Sequence, residues 1–231
     1  MDEKKSISYA ALLLTLTFAI AVCLLLIPKA EAPKGTDKGS FTEAEKTLIA
    51  NSDSVMHVFT VNDTTELKSL RTKSTDLSDS AILSPTFRLL AAKLIATVTS
   101  PEQDGVGISA PQVGINRRVV AVMRYDKQGK PFEIYANPSI DTLIGPIERG
   151  PEGCLSVPGM RGMVTRYKTI VLSYKDLKTL QPRKDTVSGY SAIIFQHECD
   201  HLEGILYTDK ADTVFVDKIW QAEINKNKHT K

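Results

Sequence analysis

Cysteine is scarce in this chain of 231 residues: only Cys23, Cys154 and Cys199 are present. Cys23 lies in an uncharged apolar run, so the rest of the chain can form at most one disulfide, which excludes a disulfide-stapled scaffold. An excess of one charge is missing too. Lys and Arg number 29 and Asp and Glu 27, for a net +2, and nothing in that balance favours nucleic-acid binding. The glycine-rich stretch Gly105-Val106-Gly107-Ile108-Ser109-Ala110-Pro111-Gln112-Val113-Gly114 is followed by no Gly-Lys-Ser/Thr, so it is not a phosphate loop. It lacks a preceding strand and is broken by Pro111, which argues against a dinucleotide fingerprint. What remains is a turn, or a backbone that approaches a ligand closely with Gln112 as a fixed amide donor.

A composition of 42% hydrophobic and 24% charged residues is ordinary for a globular protein and supports one sizeable core plus an appendage. Residues 1–28 form that appendage, a signal peptide or an N-terminal membrane anchor. The run 10–27 is uncharged and, at about 1.5 Å per helical residue, spans roughly the hydrocarbon core of a bilayer. It is longer than a usual signal-peptide core, and Pro33 would follow a cut after Ala30-Glu31-Ala32. Both points favour an uncleaved anchor over a cleaved signal. Val22 and the continuing run argue against lipidation of Cys23. Lysines flank the run on both sides, Lys4 and Lys5 before it and Lys29, Lys34 and Lys38 after it, so they set no clear orientation. Residues 29–40 read as a linker and 41–231 as the folded domain.

Within that domain, Ser40-Phe41-Thr42-Glu43 has the form of a capping box, predicting a helix over 41–50. A strand is expected at 55–61, and 67–74 reads as a polar stretch. Ser84-Pro85 suits an N-cap and first helical position, with Phe87, Leu90, Ala91, Leu94, Ile95 and Val98 on one face. Strands are expected at 118–123 and 132–136, closed by Asn137-Pro138, then a loop over 145–153 and a strand over 163–174. A helix should run from 190 to 202 and end at Gly204. Phe215, Val216, Ile219, Trp220 and Ile224 suggest a C-terminal amphipathic helix.

Chemistry concentrates in the 190–202 helix, in Gln196-His197-Glu198-Cys199-Asp200-His201. Two of the chain's four histidines stand four apart with an acid after the first. On a helix they share a face, so both can reach one metal ion, with Glu198 placed to touch a water on it. Cys154, in Glu152-Gly153-Cys154-Leu155-Ser156, is otherwise a buried small hydrophobe but near a His pair becomes a candidate thiolate ligand. A zinc endopeptidase is the obvious competitor. Its extended motif HExxHxxGxxH matches at Gly204 but meets Tyr207 where a third histidine belongs. Glu223, the distant alternative ligand, sits near the chain end.

The glycine-rich stretch, the Cys154 stretch and the His helix, in that order and at that spacing, together resemble the peptide deformylase family over about residues 61–210, with 67–74 matching an early Leu-Arg segment. The resemblance implies an α+β fold of mostly antiparallel sheets around a central metal-binding helix, with a C-terminal helix. It implies metal ligands Cys154, His197 and His201 with water in the fourth position, and Glu198 as general base and acid. Gln112 and the Leu155 backbone N–H would stabilise the oxyanion, and Gly105, Val106 and Gly107 would pair with the substrate peptide as an added strand. The implied metal is Fe(II), or else Zn(II), Ni(II) or Co(II). The implied substrates are N-formylmethionyl peptides or nascent or exported polypeptides, and the products formate and a free N-terminal methionine. Arg161 and Arg166 match family arginines and read equally well as surface or structural charges. Two features depart from the family. Ser109 stands where alanine is usual, adding a small hydroxyl compatible with activity. The apolar run points to a membrane-anchored or exported enzyme of the cell envelope, with a cytosol-facing anchor or an organelle as the other placements. A non-catalytic binder of formylated peptides is the remaining alternative. Nothing in the sequence sets an oligomeric state.

Overall fold

The computed structural model describes residues 39–218. The segment 1–28, the linker up to 38 and the apolar positions Ile219, Trp220 and Ile224 lie outside the described residues. Four helices come first: α1 (Glu43–Asn51), α2 (Thr64–Leu70), α3 (Asp79–Leu83) and α4 (Pro85–Val98). Strand β1 (Gly107–Ser109), a 3-10 turn (Ala110–Val113) and β2 (Val119–Met123) follow. Then come β3 (Phe132–Cys154), β4 (Val157–Lys175), β5 (Pro182–Ser188), α5 (Tyr190–Leu202), a second 3-10 turn (Tyr207–Asp209) and β6 (Thr213–Val216). The sheet runs β1-β2-β3-β4-β5 with every neighbouring pair antiparallel, and β6 adds to β4. This is the expected α+β architecture.

Strand β2 explains why helices cover both faces. Its residues Val119 and Ala121 pack with α4 in one core, whereas Val120 and Val122 pack with α5 in another. Successive strand side chains point to opposite faces, so a continuous apolar run is what a strand buried on both sides requires. Helix α4 begins as its sequence predicts, with the Ser84 hydroxyl accepting from the Phe87 N–H and Pro85 in the first turn. Helix α5 occupies 190–202, also as predicted.

Several elements differ from expectation. The capping box at α1 is Thr42 with Glu45, two residues later than predicted; Phe41 is buried in the core ahead of the helix instead of within it. Residues 55–61 form no strand: Phe59 and Val61 each donate one backbone bond, to Gln112 (2.8 Å) and Ser156 (2.9 Å). Residues 64–70 are helical, capped by Asp63. Strand β3 does not close at Asn137-Pro138 and does not yield to a loop over 145–153; it continues for 23 residues. Two of its four register shifts fall between Ala136 and Ser139 and between Ile144 and Ile147, so Pro138 and Pro146 sit inside bulges that need no ladder N–H. Gly145 supplies the positive φ of the second bulge. Asn137, also at positive φ, exchanges two 2.8 Å bonds with the Leu77 backbone. Phe215 and Val216 belong to β6 and not to a helix, because that segment pairs with β4 from Met160 to Met163. No helix among the described residues is long and apolar enough to cross a membrane.

Candidate metal centre and active site

Helix α5 lies on the sheet and turns one stripe towards a cleft of about 780 Å³, lined among others by Val106, Gly107, Tyr190, Ile193 and His197. Gln196 fastens the helix: its side chain accepts from the Tyr167 N–H (3.1 Å) and donates to the Tyr167 carbonyl (2.7 Å), so it pairs with β4 as a short strand would. One turn of helix brings the His197 and His201 rings to 5.0 Å between centroids. Cys154 arrives from the end of β3, at the tight Leu155-Ser156 connection to β4. Its Sγ lies 3.2 Å from His201 Nε2, and one ligand atom from each of Cys154, His197 and His201 falls within 4.8 Å of the others. A tetrahedral ion with bonds of roughly 2.0–2.3 Å requires donor atoms about that close together, and one thiol with two imidazoles is a donor set for a borderline divalent cation. The residues fit the metal that the sequence implies. Burial opposes ionisation of the Cys154 thiol, but the charges and hydrogen bonds of His201 and His197 outweigh it and hold the thiol well below its usual range.

Beneath the trio lies a charged support. Glu152 stands two residues before Cys154, on the same side of β3. Its carboxylate accepts from His197 Nδ1 (2.8 Å) and from Arg166 Nε and Nη2 (2.7 and 3.0 Å). Arg166 also donates to Asp200 (2.5 Å), which pairs with Lys210. The bond to Nδ1 turns the other ring nitrogen of His197 towards the cluster. Although burial pushes Glu152 up, His197 and Arg166 bring it down to about 2. Arg166 is therefore a structural charge with a defined task, and Arg161 is a rim charge paired with Asp217 (2.6 Å).

Glu198 lies next to His197 on the same helix and packs against Gly107 of β1. It is buried, and its Oε2 has no hydrogen-bond partner among the described residues. Burial pushes this carboxyl up to about 7, against the opposing pull of His197 and His201. A methyl group at Gly107 would lie 2.6 Å from Glu198 Oε1 and 2.7 Å from Ile194 Cγ2, so only glycine lets β1 pass the acid this closely. Gln112 is buried in the first 3-10 turn. Its Oε1 accepts from the Ser109 N–H (2.9 Å) and hydroxyl (3.0 Å), and its Nε2 points to Ser156 Oγ (3.2 Å) and Cys154 Sγ (3.6 Å). Gly105, Val106, Gly107, Gln112 and Leu155 all line the cleft. Among the described residues no strand pairs with the outer edge of β1.

The structure thus brings together every site residue the sequence singled out. Sequence reasoning missed Glu152 as the partner of His197 and Ser156 as the partner of Gln112. The period-2 spacing of Glu152 and Cys154 was the available signal for the first. The expected third-histidine position, Tyr207, is buried with its ring stacked 6.1 Å from His197, and it packs behind the trio.

A His pair on a helix, a converging cysteine and a buried acid with an open oxygen, on an α+β sheet, define a mononuclear metallohydrolase. Comparison with known proteins narrows the class. The sequence model for polypeptide deformylases matches residues 55–215, and the chain belongs to that family, whose members are metal-dependent hydrolases. A curated relative, the peptide deformylase of Leptospira biflexa, is 39% identical over 148 residues, covering 61% of this chain and 81% of the relative. That of Desulforudis audaxviator is 38% identical over 133 residues, covering 58% and 82%. Among solved structures, the class I type b peptide deformylase of Acinetobacter baumannii with Met-Ala-Ser bound is 32% identical, with a TM-score of 0.60 over 68% of this chain and 98% of that one. The Thermotoga maritima peptide deformylase is 28% identical, with a TM-score of 0.59 over 68% and 99%.

Proposed function

We propose that this cleft removes the formyl group from N-formylmethionyl peptides, releasing formate and a free amino terminus, with Cys154, His197 and His201 holding one divalent ion. The observation that carries the reading is the open Oε2 of buried Glu198 beside the converging trio. When bound, a divalent cation would supply Lewis acidity, polarising the formyl oxygen and lowering the pKa of a water next to it. Glu198 takes the proton that water loses as it attacks the formyl carbon, and hands it to the leaving amine as the C–N bond breaks. A carboxyl poised near neutrality suits both halves of that transfer. The Nε2 amide of Gln112 and the Leu155 N–H donate to the oxygen that gains charge. The outer edge of β1 at Gly107, with Gly105 and Val106 leading into it, takes the peptide as an added strand. A thiolate with two imidazoles accepts Fe(II), Zn(II), Ni(II) or Co(II); we assign Fe(II) as the native ion on the family resemblance. The apolar run 10–27 supports delivery of this domain to the cell envelope, tethered to or exported across a membrane.

The test is formate release from formyl-Met-Ala-Ser by the full chain, prepared without oxygen and with its metal content measured. Stoichiometric formate with one metal per chain is expected. Cleavage of unformylated peptides at internal bonds, or peptide binding with no formate, would overturn the reading. A reporter fused after Lys231 reads which side of the membrane the domain occupies.

A further inference from the structure

The Ser109 hydroxyl has no counterpart in an alanine, and it touches the amide that the proposed reaction uses. Ser109 is fully buried at the end of β1. Its N–H and its hydroxyl both reach Gln112 Oε1, at 2.9 and 3.0 Å. A primary amide has two faces that differ only by exchange of oxygen and nitrogen. In this chain two donors from one residue fill the oxygen, so the NH₂ group must face Ser156 Oγ and Cys154 Sγ, the side of the candidate metal ligands. The Ser156 hydroxyl takes one of the two amide hydrogens; the other points to the Cys154 side and is the one a substrate can use.

We propose that Ser109 is a positioning residue that locks the Gln112 amide with its NH₂ towards the reacting carbonyl. The proposal rests on the deformylase reading and deepens it. The backbone N–H supplies one donor whatever residue stands at 109; the serine hydroxyl supplies the second. A buried polar contact of this kind removes alternative amide orientations, and its benefit falls on the transition state, where the amide meets developing charge, more than on peptide binding.

The experiment compares wild type, Ser109→Ala, Ser109→Thr, Gln112→Ala and the Ser109→Ala/Gln112→Ala double variant, as metal-loaded full chains, on formyl-Met-Ala-Ser. Ser109→Ala should lower kcat about tenfold, on the order expected for one hydrogen bond next to charge. Its KM, its affinity for the product Met-Ala-Ser, its metal content and its melting temperature should stay at wild-type values. Ser109→Thr, which keeps the hydroxyl, should recover most of the rate. In the Gln112→Ala background, Ser109→Ala should have no further effect, because the two act as a unit. If Ser109→Ala matches wild type in kcat, or if the two losses multiply in the double variant, the positioning role is wrong. A shifted melting temperature with equal loss in both backgrounds would mark a structural role and also overturn it. Wild type that releases no formate would instead overturn the deformylase reading itself.

Discussion

Two glutamates flank His197, both buried, and they end in opposite states. Glu152, below the ring, is held at about 2 by His197 and Arg166 although burial raises it. Glu198, against Gly107 of β1, is pushed by burial to about 7. Desolvation acts on both in the same direction. What separates them is the number of donors within reach. Glu152 accepts three charge-assisted bonds, while one oxygen of Glu198 accepts none among the described residues. The lower region is therefore a fixed anionic support, and the upper one is the acid to which the proposed mechanism gives the proton. The pair divides orientation from chemistry within about one turn of helix.

Removing Glu198 should give the largest effect. Glu198→Ala is expected to lower kcat for formate release by 10²–10⁴-fold, on the order of a lost general base, with metal content unchanged. Near-normal turnover would end the distinction between the two acids. Crowding Glu198 comes next. The methyl of Gly107→Ala would strike Glu198 Oε1, and a displaced base should lower kcat/KM roughly 10–100-fold, read against an unchanged metal content. Removing the support should appear as instability. Arg166→Ala leaves buried Glu152 without its guanidinium and half-buried Asp200 with Lys210 alone, and loss of one partner of a buried pair is worth about 3–5 kcal/mol. Denaturant unfolding of the variant measures it; an unchanged midpoint would mean that His197 and Lys210 suffice.

The smallest effect calibrates the pH scale away from the site. Arg124, buried against Phe195 and Tyr135, binds Asp126 at 2.6 and 2.8 Å, and those bonds lower Asp126 from 3.8 to about 2. A lowered folded pKa gives stability that is complete above the unfolded value of 3.8 and is lost as pH falls through about 2. The unfolding free energies of wild type and Asp126→Asn should thus differ most at neutral pH and converge in acid. Because Asp126 is partly exposed, the difference should stay on the order of 1 kcal/mol. A gap that widens in acid would reverse the assignment.

The legible part of the site was the part made by local geometry. His197, Glu198 and His201 lie within five residues, and a helical repeat alone puts the two imidazoles on one face. The continuous apolar stretch of β2 and the cap of α4 could be read in the same way. Strand β3 could not, because Pro138, Gly145, Pro146 and Gly153 look like loop residues until their edge position is known. Pairing with β4 runs from Ala136 to Cys154 through these bulges. Nor did the segment at 213–216 announce a strand, since its partner lies some fifty residues earlier on β4.

By itself the sequence determined the donor types, the helix that carries two of them, the order of the three motifs and hence the family. Tertiary structure decided which acid is held ionised and which is raised towards neutrality. Glu152 and Glu198 have the same side chain and the same intrinsic pKa. One is met by Arg166 and His197 across β3, β4 and α5, and the other lies against the glycine of β1 with one buried oxygen that no described residue pairs. Ionisation depends on donors within about 3 Å, and those donors come from residues that only the folded sheet brings together.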